Sequence, residues 1–168
     1  MNDSPANVTE KGAYVRPGVI VALSVFVADQ VSKWAILDLF AQGPRVIEVT
    51  SFFNIVLAWN RGISFGMFGA SGETGRWVLI VLAIVISAFL AVWMVKADTR
   101  FTALGLALII GGAIGNVIDR VRLGAVVDFL DFYAWGYHWP AFNVADSAIV
   151  VGAAALILET LFSEQETP

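Results

Sequence analysis

Two aspartates set the chemistry this sequence can do: Asp128, in VVDF, and Asp146, in FNVADS. If the segments carrying them pack together, the two carboxyls share a partly desolvated space in which both cannot ionise. One keeps a proton while the other stays charged. That supplies a base to activate water and an acid to protonate an oxygen or a leaving amine, the way an aspartic protease hydrolyses a peptide without a covalent intermediate. The plainer reading has Asp146 capping a helix and Asp128 as a solvated loop acid. Against it, Asp146 stands in apolar sequence, with Asn143 the only other polar side chain from 140 to 146.

Further polar groups cluster around this pair along the chain. Asn143 lies three residues before Asp146, where it either orients a carboxylate or serves as the N-cap of a helix. Asp29 and Lys33 have the i, i+4 spacing of an intrahelical ion pair, a costly feature inside a membrane span that reads either as a functional group or as a purely structural pair neutralising itself. GGAIGN, ending at Asn116, strips side chains from one helix face, which permits close helix packing or leaves a gap for a substrate backbone. Asp119 and Arg120 are adjacent, point to different sides and require separate partners. For Arg120 these are a catalytic aspartate, Asp29 or a lipid phosphate, unless it is a membrane-surface arginine with no specific partner.

The elements that must position these groups are set by composition. Of 168 residues, 58% are hydrophobic and 14% charged, with a mean hydropathy of +0.78. An average soluble domain carries about 25% charged residues, so most of this chain belongs in lipid as one domain. Residues 77–95 and 101–118 are uncharged runs long enough to cross about 30 Å of hydrocarbon. Residues 18–40 and 140–162 are two further spans, carrying Asp29 and Lys33 in one and Asp146 in the other. The first is read as a helix rather than a cleaved signal peptide, because no A-x-A-like site ends it. Residues 45–68, rich in Val, Ile, Phe and Trp with a turn signal from Asn60 to Gly62, predict a small sheet at the membrane surface. The aromatic stretch 126–139 reads as interfacial. The fold class is thus an all-α membrane protein of four transmembrane helices with a small β-sheet and an interfacial amphipathic segment. Its boundaries are a polar tail at 1–16, the membrane domain at 17–162 and an acidic tail at 163–168.

Four spans put both termini on one side of the membrane, and Asn60, Gly62, Asn116, Asp119, Arg120, Asp128, Asn143 and Asp146 all gather toward the other. Lys and Arg are too evenly divided between the two sides to choose the orientation. The absence of cysteine excludes thiol chemistry and thiolate metal sites, and a lone His138 makes neither a zinc site nor a Ser-His-Asp triad. The net charge of -4, with no basic cluster, excludes a nucleic-acid partner.

Taken jointly, DQVSK at Asp29–Lys33, NRGISF from Asn60, GNVIDR at Asn116–Arg120, GAVVDF at Asp128 and FNVADS at Asn143–Asp146 resemble the five sequence blocks of the lipoprotein signal peptidase family, also called signal peptidase II. The resemblance covers about residues 17–162. It implies a bacterial inner-membrane aspartic peptidase with an extracytoplasmic sheet, both termini in the cytoplasm and a site near the outer-leaflet surface. It also implies a catalytic dyad at Asp128 and Asp146, with Asp29, Lys33, Asn60, Gly62, Asn116, Asp119, Arg120, Asn143 and Ala145 lining or bracing it. The implied substrates are prolipoproteins whose cysteine carries a diacylglyceryl group, cleaved just before that cysteine. Membrane lipids are the other expected partner, no metal or organic cofactor is expected, and a monomer is the default.

Three other readings compete. A proton-coupled transporter would use Asp29, Lys33, Asp119 and Asp146 as a path, but these lie near one surface and form no ladder across the bilayer. A Ser-Lys peptidase would pair Lys33 with Ser64 or Ser147, and Asp29 would keep that lysine charged. A noncatalytic assembly factor would use none of this chemistry.

Overall fold

The computed structural model describes residues 12–43, 46–62 and 73–163. Four helices carry the chain: α1 at Val15–Leu39, α2 at Glu73–Val95, α3 at Arg100–Leu123 and α4 at Val144–Ser163. All four are long and apolar enough to cross a membrane. Their outer faces expose Val, Leu, Ile, Phe and Trp, as expected of surfaces whose solvent is lipid. Most of the expected N-terminal tail, residues 1–11, and residues 164–168 lie outside the described residues, as does 63–72, which includes Ser64.

Helix α3 is the hub, packing on α4, α1 and α2 in turn. Small residues let it approach its neighbours closely. A Cβ on Gly112 would fall 2.4 Å from the carbonyl oxygen of Ala145 in α4, and one on Gly111 would fall 2.5 Å from that of Ala22 in α1. The glycines of GGAIGN therefore serve helix packing. The helix starts on Thr99, whose hydroxyl accepts the Thr102 N–H at 3.1 Å, and ends on Gly124 in the left-handed conformation, where a side chain would be strained.

Four antiparallel strands form a sheet in the order β1 (Val46–Thr50), β2 (Phe53–Asn60), β3 (Val126–Ala134), β4 (Tyr137–His138). The expected sheet is present, with its hairpin turn at Ser51 and Phe52, while the turn at Asn60–Gly62 ends β2. The aromatic segment 126–139 joins the same sheet as β3 and β4. Period-two alternation divides β3. Val127 and Phe129 pack on Ile36 of α1 and on Phe40, which caps its C-terminus, and this turns Asp128 to the other face. Helix α4 begins four residues later than residue 140, because Phe142 is held extended by paired backbone bonds with Leu130 at 2.8 and 3.1 Å.

Adding one methyl group at Gly112 must displace backbone, so Gly112→Ala is expected to cost about 1–3 kcal/mol. Gly43→Ala, where a Cβ meets only ordinary contact at 3.5 Å, is expected to be nearly neutral. Thermal unfolding in detergent distinguishes the two.

Candidate active site

The site is built on a charge buried inside the helix bundle. Lys33 is 2% exposed, and its ammonium spends all three donors on protein: Asp29 at 2.9 Å, Asp119 at 2.8 Å and the Asn116 side-chain oxygen at 3.0 Å. The i, i+4 pair expected from the sequence is present, and it is half of the arrangement. The ammonium lies between α1 and α3, so its cost in a low-dielectric setting is offset only while both helices stay in place. Gln30 closes the cluster, its amide nitrogen lying 3.1 Å from Asp29, 3.0 Å from Asp119 and 3.3 Å from the Gly115 carbonyl. Gln30 is not among the residues expected at the site from the sequence. The available signal was an amide between two charges in an apolar span.

Each carboxylate of this cluster also holds a further element. Asp29 accepts the Ala145 N–H at 3.0 Å, satisfying a donor in the first turn of α4, where a helix leaves its N–H groups unpaired. Asp119 accepts the Val127 N–H at 3.2 Å and so fixes β3 one residue before Asp128. Gly115 must lack a side chain, since a Cβ there would lie 2.4 Å from the Asp29 carboxylate.

Asn143 brings the two candidate catalytic carboxyls together. Its side-chain nitrogen donates to Asp128 at 2.7 Å, its side-chain oxygen accepts the Asp146 N–H at 2.9 Å, and its own backbone N–H donates to the Asp146 carboxylate at 3.2 Å. The last two bonds form a reciprocal capping box at the start of α4. The alternatives left open by spacing thus hold together: Asn143 and Asp146 cap the helix, and the same residues position the carboxyls. Asn116 donates to the other oxygen of Asp146 at 2.8 Å, which links that carboxylate to Lys33 through one amide.

Asp128 is 2% exposed, which raises its carboxyl to about 6. Burial is the main cause and the charge of Asp146 adds to it, while hydrogen bonds from Asn60 and Asn143 and the charge of Lys33 act in the opposite sense. The Asn60 contact follows from register: Ala58 faces Asp128 across the sheet, so Asn60, two residues on, lies diagonally on the same face. The Asn60 side-chain oxygen also accepts the Gly62 N–H at 2.8 Å. Gly62 has φ of +79°, and a Cβ on it would lie 3.5 Å from the Arg120 guanidinium.

Arg120 and Asp119 point apart, as adjacent residues were expected to. The Arg120 guanidinium donates to the Asn116 carbonyl at 3.3 Å, its Nε is buried without a partner among the described residues, and the opposing charge acting on it most strongly is that of Asp146, followed by Asp128. It stands beside the dyad as an uncommitted cation. All eleven expected site residues fall within this network at one end of the bundle. Ser147 is occupied, donating to the Asn143 carbonyl at 2.9 Å, and Lys33 has no free donor, so the pair required for Ser-Lys chemistry is not assembled there.

Comparison with known proteins identifies similar chains. A family model described as signal peptidase (SPase) II matches residues 21–162. The lipoprotein signal peptidase of Methylobacterium sp. (strain 4-46) is 45% identical over 150 residues, covering 88% of this chain and 90% of that protein. That of Cupriavidus necator is 47% identical over 161 residues, covering 94% and 91%. A solved bacterial membrane enzyme superposes with a TM-score of 0.79 at 30% identity, covering 95% of this chain and 96% of that one.

Removing one partner of a buried ion cluster strands the others. Lys33→Met is therefore expected to destabilise the protein by about 3–5 kcal/mol, seen as a lower unfolding midpoint in detergent. An unchanged midpoint would show that the cluster does not hold the helices.

Proposed function

The chain belongs to the signal peptidase II family of aspartic-type peptidases and is a multi-pass bacterial membrane protein; from that premise we propose that it removes signal peptides from diacylglyceryl-modified prolipoproteins, using Asp128 and Asp146 as its catalytic dyad. The observation that carries this reading is the Asn143 bridge, in which one residue holds the Asp128 carboxyl of β3 on its side-chain amide and the Asp146 carboxyl of α4 on its backbone N–H.

In the proposed reaction Asp128 carries the proton of the dyad and Asp146 is ionised. The raised value of Asp128 supports this assignment, and so does the pair of N–H donors on Asp146. Asp146 takes a proton from a water held between the carboxyls, and the hydroxide adds to the carbonyl carbon of the residue before the lipidated cysteine. Asp128 passes its proton to the carbonyl oxygen, giving a neutral diol. Asp146 then protonates the leaving cysteine nitrogen while Asp128 takes a proton from the diol as the new carboxyl forms, so both groups return to their starting states. Asn116 braces Asp146, the Arg120 charge stands beside the pair, and Asn60 holds Asp128. The acyl chains of the substrate stay in the bilayer beside the helices, which sets the depth at which the scissile bond meets the dyad. Both termini lie in the cytoplasm and the dyad toward the outer leaflet. The protein acts as a monomer.

Cleavage of a lipidated precursor in proteoliposomes tests the assignment. Asp128→Asn and Asp146→Asn are each expected to reduce turnover by about a thousandfold or more while insertion and folding persist. Normal turnover by either variant rules out the dyad.

The pH dependence has a definite sign. The free enzyme loses the Asp128 proton as pH rises through about 6, so kcat/KM is expected to fall on the alkaline side with a limb near that pH. The hydrogen bond from Asn60 favours the ionised carboxyl, so Asn60→Ala is expected to move the limb to higher pH. A shift to lower pH would contradict the assignment of the proton to Asp128.

A further inference from the structure

Of the two cations at the site, Lys33 is fully paired and Arg120, among the described residues, is not. The ion pairs there belong to Lys33, Arg76 and His138. A guanidinium carries five N–H donors and keeps its charge in proteins, yet the hydrogen bond Arg120 makes goes to a neutral carbonyl, that of Asn116, and its Nε is buried without a partner. The nearby carboxylates have their donors elsewhere. Asp119 accepts from Lys33, Gln30 and the Val127 N–H; Asp146 accepts from Asn116 and the Asn143 backbone; Asp128 accepts from Asn143 and Asn60. The guanidinium is nevertheless placed between both members of the dyad. On one side Asn116, whose carbonyl it bonds, holds Asp146. On the other, Gly62 brings bare backbone to it, where a Cβ would lie 3.5 Å away, and Gly62 is bonded to Asn60, which holds Asp128.

Peptide hydrolysis changes the charge at this spot. The substrate brings a neutral carbonyl, and collapse of the diol leaves a carboxyl that still carries one proton, together with a free amine. An α-amine has an ordinary value of about 8 and an α-carboxyl one of about 3.5, so the proton passes from the carboxyl to the amine or to water. A carboxylate then stands where the carbonyl stood, beside the ionised Asp146. Two anions in a partly desolvated space repel each other and require a cation. An arginine with unused N–H groups is the side chain whose planar fork matches a carboxylate.

We propose that Arg120 is the receptor for the new C-terminal carboxylate of the cleaved signal peptide, holding it beside the dyad until the peptide leaves; this rests on the peptidase reading. Arg120 then distinguishes product from substrate. It meets a neutral oxygen before cleavage and an anion afterwards, so it binds the cleaved peptide more tightly than the uncleaved chain and slows its release.

The test uses a synthetic signal peptide that ends at the residue before the cysteine, made as the free acid and as the C-terminal amide. Each carries a fluorophore at its N-terminus, and binding to the full chain in detergent micelles at neutral pH is read by anisotropy, which needs no turnover. The wild-type protein is expected to bind the acid about tenfold more tightly than the amide. Arg120→Gln is expected to bind the two alike while keeping the wild-type affinity for the amide. Equal affinities in the wild type would overturn the proposal, and so would a preference for the acid that survives Arg120→Gln. If the glutamine variant also loses the amide peptide, Arg120→Lys decides, since it keeps the charge without the fork. It is expected to prefer the acid by less than the wild type, and amide binding with no such preference would count against Arg120 as the receptor. Cleavage of a lipidated precursor is measured in parallel. No cleavage by the wild type refutes the peptidase reading, whereas cleavage with no difference between acid and amide refutes this inference alone.

Discussion

The ammonium of Lys33 is the interaction on which the rest of this structure depends. A buried lysine in a membrane bundle is tolerated only when its charge is matched and its three donors are used, and here every one of its partners also supports something else. Asp29 belongs to α1 and holds the first turn of α4; Asp119 belongs to α3 and holds β3; Asn116 belongs to α3 and holds Asp146. One cation therefore registers four elements against each other, including the two that carry the dyad. The ion cluster is better understood as a device for geometry than as a source of net stability, because desolvation offsets much of the attraction between buried charges.

The second economy of the structure lies at the start of α4. Every helix must find acceptors for its first N–H groups. Here Asn143, Asp146 and Asp29 supply them, and the capping geometry delivers a carboxylate into the site as a by-product. Capping ordinarily holds a side chain in one rotamer. A group that must meet water and a scissile bond at fixed distance benefits from that rigidity. The glycines of α3 belong to the same arrangement, since Gly112 admits the Ala145 backbone and Gly115 admits the Asp29 carboxylate.

The sheet completes the site from the other direction. Val127 and Phe129 bury one face of β3 against Ile36 and Phe40, and the pleat then turns Asp128 toward α4. The apolar contact is unspecific in itself. Register is what converts it into chemistry, because a slip of one residue would send Asp128 to the α1 face and a valine into the dyad. The bond from the Val127 N–H to Asp119 pins that register from outside the sheet.

Much of this was legible in the sequence. Hydropathy alone defines four spans, because crossing hydrocarbon imposes a length and a composition that no tertiary contact can relax. Residue types name the chemistry, since carboxyls and amides among apolar neighbours have few reasons to be there. What the sequence could not decide is pairing at a distance. Gln30 meets Asp119 across 89 positions and Asn54 meets Asp131 across 77, and no local periodicity marks either contact. The late start of α4 and the conversion of 126–139 into strands have the same cause, as backbone partners on other elements override the pattern within the segment. The double role of Asn143 is of this kind too: spacing offered a cap or an orienting group as alternatives, and only the packing of β3 against α4 lets one side chain be both.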